Sequence, residues 1–333
     1  MFLLRFSMTA SRDDPGVRAA DYHAALEMAA WSEHRGALAA AVSQHHDVDN
    51  GYLPSPLPMA AALAARTTSL PITVAALLLA FYEPLKLAED MAVIDLISRG
   101  RVGYVVGIGY RQEEFDRFGV DRRRRAGLVE ERIGILRGLL AGEQVSLDGR
   151  TVHVTPSPFT PGGPHIAYGG GTTAAARRAA RLGMLFLAET HDDSLEAEYR
   201  AEASRAGVAP VGCIFPAAGV PLTVFVSDDP DRAWNEIGGY LLRDARTYGG
   251  WNAHRPTTAS VSFATTVDEL RAEHGAYQIL TPDEARTQVA GGSPLGLQPL
   301  VGGLPPELAW RYLEDAVAAA TSTHLDSAGP AET

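Results

Sequence analysis

Apolar positions along the chain switch repeatedly between a period of two and a period near 3.6, and the switches come at short, regular intervals. Residues 1–8 read as a first strand. From Asp21 to Arg35, the residues Tyr22, Leu26, Ala29 and Ala30 fall at helical spacing, and Gly36 follows as a helix stop. Ala37 to Ser43 is a short apolar run, a second strand. A loop rich in Gly and Pro follows (Gly51-Tyr52-Leu53-Pro54-Ser55-Pro56), then an alanine-rich helix from Pro58 to Thr68. Leu70 to Ala80 is almost continuously apolar, as a strand covered on both faces must be. Leu85 to Ser98 is amphipathic and stops at Arg99-Gly100, and Val102 to Ile108 gives a fourth strand. Asp121 is placed to N-cap a helix running to Leu140.

Gln144 to Val154 has Asp148-Gly149 at its centre, which is the turn chemistry of a β-hairpin. His165–Tyr168 with Thr172–Leu182, and Met184–Ala188 with Ser194–Ala206, make a fifth and a sixth strand–helix pair. Pro221–Val226 reads as strand seven, Pro282–Ala290 as helix seven, Leu295–Val301 as strand eight and Pro306–Ala320 as the last helix. Eight short strands, each followed by a helix, predict an α/β fold of the (β/α)₈ TIM-barrel class, with insertions after strand four and strand seven. The expected organisation is a single domain over 1–325, with 228–276 as an insertion carrying one helix (Pro230–Tyr248), and 326–333 as a flexible tail. Trp234, Tyr240, Tyr248 and Trp251 in that insertion suit either a lid or a small core of its own. An open doubly wound sheet is the structural rival, but the first strand leads to Met8-Thr9-Ala10-Ser11 and not to Gly-x-Gly-x-x-Gly.

Composition narrows the function classes. With 46% hydrophobic and 21% charged residues the chain can build a packed core. One cysteine, Cys213, excludes an internal disulfide framework and suits a reducing compartment. No segment approaches the ~18 uninterrupted apolar residues that a membrane span needs, so a cytoplasmic protein is expected. A net charge of −11 argues against nucleic acid or anionic lipid as a partner. The one basic run, Arg122-Arg123-Arg124-Arg125, would point four ways on a helix and reads as a solvated helix start with local ion pairs.

In a barrel the chemistry lies at the C-terminal strand ends. After strand two come Gln44-His45-His46-Asp47, where an imidazole with an ordinary pKa of about 6.5 suits proton transfer near neutral pH. No His-x-x-x-His or Cys-x-x-Cys spacing accompanies the histidines, so no metal is expected. Gly107-Ile108-Gly109 after strand four permits close approach of a flat ligand. Gly169-Gly170-Gly171-Thr172-Thr173 opens a helix, where free backbone N–H groups and two hydroxyls can cradle a phosphate or simply form a capped turn. Ala75 and Ala76 are small residues in the otherwise bulky strand three.

Together these residues resemble the luciferase-like flavin-dependent monooxygenases. The specific part is Ala88-Glu89-Asp90 through Asp95-Leu96-Ile97-Ser98-Arg99-Gly100-Arg101, followed by Glu114-Phe115 and Phe118-Gly119. Gln44-His45-His46, Gly107-Ile108-Gly109-Tyr110, the Gly169–Thr173 turn and Gly302-Gly303-Leu304-Pro305-Pro306 agree with it. The resemblance implies catalysis at His45, with His46 beside it, and a non-proline cis peptide at Ala75-Ala76 supporting the isoalloxazine ring. It implies further cofactor contacts from Gly107, Ile108 and Gly109, and from Gly169, Gly170, Gly171, Thr172 and Thr173. Ile108 stands where the luciferase pattern has an arginine for the flavin phosphate, and Glu83-Pro84 replaces the more usual His-Pro.

What the resemblance implies is an FMN-dependent monooxygenase. Reduced FMN from a separate flavin reductase would react with dioxygen to oxidise a small organic substrate. Two alternatives stay open: a deazaflavin coenzyme transferring hydride without oxygen, and a flavin-binding barrel without catalysis. The alanine-rich second helix and Ala88 and Ala92 on the third match the family's dimer interface, so a homodimer is expected.

Overall fold

The computed structural model describes residues 1–10, 14–253 and 258–321. In chain order its elements begin β1 (Phe2–Phe6), α1 (Pro15–Glu33), β2 (Ala37–Val42), α2 (Pro56–Arg66), β3 (Ile72–Leu78), α3 (Pro84–Ser98) and β4 (Val102–Gly107). They continue with α4 (Gln112–Arg117), α5 (Arg125–Leu140), β5 (Val145–Leu147), β6 (Arg150–Val152), β7 (Ile166–Gly170), α6 (Thr173–Arg181), β8 (Phe186–Ala188) and α7 (Asp193–Ala206). The last are β9 (Cys213–Ile214), β10 (Thr223–Val226), α8 (Pro230–Trp251), α9 (Val267–Ala272), β11 (Tyr277–Leu280), α10 (Pro282–Ala290), β12 (Leu295–Leu297) and α11 (Pro306–Thr321). No described helix is long and apolar enough to cross a membrane. The chain packs as two compact units, one of residues 1–41, 49–52 and 216–333 and one of residues 42–48 and 53–215.

In the first unit β1 pairs in parallel with β12, Phe2 opposite Leu295, and β10 pairs in parallel with β11, Thr223 opposite Tyr277. Phe2, Leu4 and Phe6 are fully buried, as alternation in a strand dictates. Helix α8 turns Trp234, Ile237, Leu241 and Ala245 inward. Gly302 is forced by that packing. Its φ is +57°, and a Cβ there would lie 2.0 Å from the Tyr240 carbonyl oxygen, so only glycine fits. A buried polar cluster lies on the inner face of α8, where the Tyr277 hydroxyl donates to Asp244 Oδ2 at 2.8 Å and Tyr52 and Tyr248 pair through their hydroxyls.

In the second unit β3, β4, β7, β8 and β9 lie side by side, all parallel. Val129, Ile133 and Leu136 from α5 and Leu87 and Met91 from α3 are buried in its core. Arg132 donates to the carbonyls of Leu79 (3.1 Å) and Ala80 (2.6 Å), tying α5 to the turn that ends β3. The β3 ladder carries one irregularity. Ala75 pairs with Val105 and Leu77 with Val106, so Ala76 is an extra residue in the strand. Strict alternation would bury one of two successive alanines; the bulge leaves both only half-buried.

The α/β alternation, the hairpin (β5–β6) and most helix limits agree with the sequence pattern. Three features differ. The expected strand seven has β11 as its ladder partner, and the strand that follows β8 in its sheet is the two-residue β9. The two-residue β9 is too short for periodicity to reveal, and β11 directly follows the stretch read as an insertion. The 228–276 segment holds two helices, α8 and α9, not one. Its aromatics Trp234 and Tyr248 are packed within their unit. The four arginines form no ion pair among the described residues; Arg122–Arg124 make a 3₁₀ turn before α5 begins. The 326–333 tail lies outside the described residues.

Candidate active site

All the sequence-predicted site residues fall in the second unit. The register of β3, β4 and β7 aligns their C-terminal ends, with Leu78 opposite Gly107 and Val106 opposite Tyr168. Ala75-Ala76, Gly107–Gly109 and Gly169–Thr173 therefore open on the same edge. The Ala75-Ala76 peptide is cis. This edge is a floor of backbone and methyl groups. A Cβ on Gly107 would lie 3.0 Å from Ala76 Cβ, and one on Gly169 would lie 2.9 Å from Val105 Cγ1, so neither position has room for a side chain.

The histidines are separated by environment. Gln44 is buried and fixes one of them. Its Oε1 accepts from the Leu78 N–H at 2.9 Å, while its Nε2 donates to the Tyr82 hydroxyl at 3.0 Å and lies 2.7 Å from His46 Nε2. With the amide donating, His46 Nε2 must accept, which makes His46 neutral with its proton on Nδ1. Burial pushes the His46 pKa down, which favours the same neutral form. Its ring packs edge-on against Phe118 and Phe81, at 4.6 and 5.7 Å between centroids.

His45 faces a carboxylate. Its Nδ1 lies 2.9 Å from Glu114 Oε1, and its Nε2 lies 3.4 Å from the Tyr110 hydroxyl. Glu114 is fully buried; its Oε1 also accepts from the His46 backbone N–H at 2.9 Å and from Arg111 Nη1 at 3.3 Å. Arg111 Nη1 in turn donates to the His46 carbonyl at 2.8 Å. Burial alone would raise the Glu114 pKa. The hydrogen bond and charge of His45, the His46 N–H and Arg111 outweigh it, and the carboxyl falls below its ordinary range. An ionised Glu114 makes His45 Nδ1 the donor and leaves Nε2 facing Tyr110.

Local sequence explains how Glu114 arrives there. Gly109 turns the chain with φ +72°, and Phe115, fully buried, anchors the short helix α4 so that Glu114 points inward. Glu114, Arg111, Tyr110 and Tyr82 were given no chemical role in the sequence reading, where Glu114 and Tyr110 served only to carry the resemblance. The available signal was an acidic residue beside an anchoring aromatic (Glu114-Phe115), one short turn after a glycine-rich strand end.

At the end of β7, Thr172 caps α6 by accepting the Ala175 N–H on its Oγ1 at 3.2 Å. The Thr173 and Ala174 N–H groups in the first helical turn have no partner inside the helix and can face an anion. The floor, the turn and the nearby imidazole fit a planar cofactor with a phosphorylated side chain. Among the described residues no three His, Cys, Asp or Glu side chains are grouped to hold a metal ion. A cavity of about 770 Å³ opens at the opposite strand ends, beside Arg137, His165 and Met184, and contains none of this chemistry.

A family model described as luciferase-like monooxygenase matches residues 1–291. The alkanal monooxygenase alpha chain of Photorhabdus laumondii is 25% identical over 146 residues, 42% of this chain and 41% of that protein. The chain spans about two fifths of the length of the first curated relatives it matches. The F420-dependent glucose-6-phosphate dehydrogenase of Gordonia bronchialis is 26% identical over 87% of this chain and 90% of its own. Among solved structures, the monooxygenase RslO1 from Streptomyces bottropensis has a TM-score of 0.70 at 23% identity, covering 98% of this chain and 100% of that one. The oxygenating constituent of the Pseudomonas putida 3,6-diketocamphane monooxygenase, in complex with FMN, has a TM-score of 0.68 at 18% identity, covering 96% and 97%. These structures share the chain's fold.

Proposed function

The chain belongs to the luciferase-like monooxygenase family, and from that premise we propose that it is a flavin-dependent monooxygenase. It uses reduced FMN, delivered by a separate reductase, and dioxygen to oxidise a small organic substrate. The observation that carries this reading is the Glu114–His45 pair standing beside a floor of backbone and methyl groups that leaves Gly107 and Gly169 no room for a side chain. When bound, the flavin supplies the reducing electrons that activate oxygen.

The chain's own residues do the rest. Ala75, Ala76 and Gly107 would support the ring, with Ile108 and Gly109 beside it. Gly169, Gly170 and Gly171 would let the backbone approach the cofactor's side chain, and the α6 N-terminus with Thr172 and Thr173 would hold its phosphate. Glu114 keeps the His45 Nδ1 proton in place, so that Nε2 can accept or return a proton toward Tyr110 and the bound reactants. His46 is a neutral, packed support and does not exchange protons in this scheme. Binding reduced FMN to the pure protein and following oxygen uptake with candidate aldehydes, ketones and amines tests the reading. Tight FMN binding with substrate-dependent uptake is expected; no affinity for any flavin would refute it.

A second reading, hydride transfer by a deazaflavin without oxygen, is favoured by Ile108. An apolar side chain there supplies no cation for a flavin phosphate at that point. Oxygen-independent turnover with the deazaflavin would select it. We also propose a homodimer through α3, but not through its small residues, since Ala88 and Ala92 are fully buried within the subunit. Val93, Leu96 and Ile97 lie on one face of that helix and are 44%, 40% and 46% exposed, an apolar stripe that a second subunit would cover.

A further inference from the structure

Strand β1 carries a charge where its pattern calls for an apolar residue. Phe2, Leu4 and Phe6 fill one face of the strand, and Leu3 and Arg5 stand on the other, both half-buried. An arginine in the middle of a core strand is rarely kept unless its charge has a partner. Arg5 makes one hydrogen bond among the described residues, from Nη1 to the Leu222 carbonyl at 3.4 Å, whereas a guanidinium has five N–H donors to place. Burial acts to lower its pKa, and Tyr248, Tyr52, Asp244 and Tyr277 raise it, so these four groups lie around the guanidinium. Asp244 acts on it by charge and not through a bond. Its own donor is the Tyr277 hydroxyl at 2.8 Å, and burial raises its carboxyl to about 6, where a direct ion pair would hold it down.

Aromatic rings line the same region. The inner face of α8 continues from Asp244 by one turn to Tyr248 and then to Trp251. Tyr52, from the loop after β2, closes a triangle with these two rings. The centroids of Tyr52 and Tyr248 are 6.2 Å apart, those of Tyr52 and Trp251 5.8 Å, and those of Tyr248 and Trp251 5.5 Å, all in edge-on contact. Tyr52 is buried, whereas Tyr248 and Trp251 are half-buried. The Tyr52 and Tyr248 hydroxyls pair, and with Tyr52 donating, Tyr248 has a proton to give. A half-buried guanidinium, a phenol proton and flat apolar rings thus meet within the first unit.

This chemistry selects a ligand. The planar fork of Arg5 matches the two oxygens of a carboxylate. Asp244, ionised above about pH 6, disfavours a doubly charged group such as phosphate and tolerates a monoanion beside the arginine. The aromatic rings suit an apolar body attached to that carboxylate. We propose that Arg5 and Tyr248 bind the carboxylate of a small organic acid whose apolar body packs against Trp251 and the Tyr248 ring. That this acid is the substrate to be oxidised rests on the monooxygenase reading; the acid site itself does not.

Isothermal titration of the full-length protein without flavin tests the site, with benzoate, phenylacetate, their uncharged amides and inorganic phosphate as probes. The proteins are the wild type, Arg5→Met, Arg5→Lys, Tyr248→Phe and the exposed control Arg246→Gln, each with a thermal melt. Wild type should bind at least one acid about tenfold or more tighter than its amide, and tighter than phosphate. Arg5→Met should abolish that preference, Arg5→Lys should keep part of it, Tyr248→Phe should weaken the acid alone, and the control should match wild type. No binding of either acid, equal affinity for acid and amide, tighter binding of phosphate, or a preference that survives in Arg5→Met overturns the proposal. Where Arg5→Met does not fold, unchanged acid affinity in both Arg5→Lys and Tyr248→Phe overturns it. For substrates that carry the acid, Arg5→Lys should raise KM at unchanged FMN affinity; an unchanged KM removes the acid as substrate. Acid binding without affinity for any flavin brings down the monooxygenase reading and leaves the acid site standing, and flavin binding without acid preference does the reverse.

Discussion

Replacing Glu114 by glutamine removes one charge and almost no volume, which makes it the sharpest perturbation of the site. The carboxylate Oε1 now takes three N–H donors, from His45, from the His46 backbone and from Arg111. Hydrogen bonds to an ionised group contribute about 1.5–3 kcal/mol each and neutral ones about half that. Neutralising this acceptor should therefore cost roughly 2–4 kcal/mol, which is about 3–6 °C in Tm for a chain of this size. The amide can also donate toward His45 Nδ1, so the imidazole loses the partner that fixed its tautomer, and turnover should fall at least about tenfold while flavin affinity holds. The pH dependence gives a further check. The folded Glu114 pKa is lowered, so its stabilisation is present above the unfolded value of about 4.3 and is lost as pH falls through the folded value. The Tm gap between wild type and Glu114→Gln should accordingly be full at pH 7 and close on acidification below pH 4. Differential scanning fluorimetry between pH 3 and 8 reads it. A gap that is absent at pH 7, or that widens in acid, would refute the argument that Glu114 is an ionised anchor.

Asp244 makes the opposite prediction. Burial raises its pKa from 3.8 to about 6, and its Oδ1 has no partner, so its contribution is favourable in acid and is lost as pH rises through about 6. Asp244→Asn should be more stable than wild type at pH 8 by up to ~3 kcal/mol, with the difference vanishing below pH 4; equal melting curves at pH 8 would count against it. Charging the α3 stripe with Leu96→Asp and Ile97→Asp should convert a particle of twice 35.5 kDa to a monomer by light scattering, and a wild-type monomer would end the dimer proposal. Thr172→Ala removes the α6 cap and should cost about 1 kcal/mol while weakening flavin binding. Unaltered stability and affinity would remove Thr172 from the phosphate turn.

Most of the architecture was legible because burial imposes period. The near-continuous apolar run at Leu70–Ala80 and the helix stops at Gly36 and Gly100 gave elements whose limits shift by only a few residues in the structure. β9 escaped because two residues carry no measurable period, and β11 because it directly follows the 228–276 stretch read as an insertion, between that stretch and the helix at Pro282. The candidate site divided the same way. His45, Ala75-Ala76 and the Gly169–Thr173 turn stood out through local motif chemistry. Glu114 did not, because its importance lies in a contact with a residue 69 positions earlier, made possible by the Phe115 anchor and the Gly109 turn. The arginine run was legible as charge, and Arg123 and Arg124 are solvated as expected, whereas Arg122 and Arg125 are half-buried. Its half-buried members depend on how α5 packs beside α6, which no periodicity encodes.

The central claim is that the ends of β3, β4 and β7 carry a flavin-type ring on the Ala75-Ala76 step. Ala76→Leu would fill that floor from a half-buried position. Titrating FMN and the deazaflavin into wild type and this variant, with melting temperature measured alongside, is the direct measurement. Tight binding of one cofactor to wild type, weakened at least about tenfold in Ala76→Leu at unchanged melting temperature, is the predicted result. Equal affinity in both proteins would contradict the account.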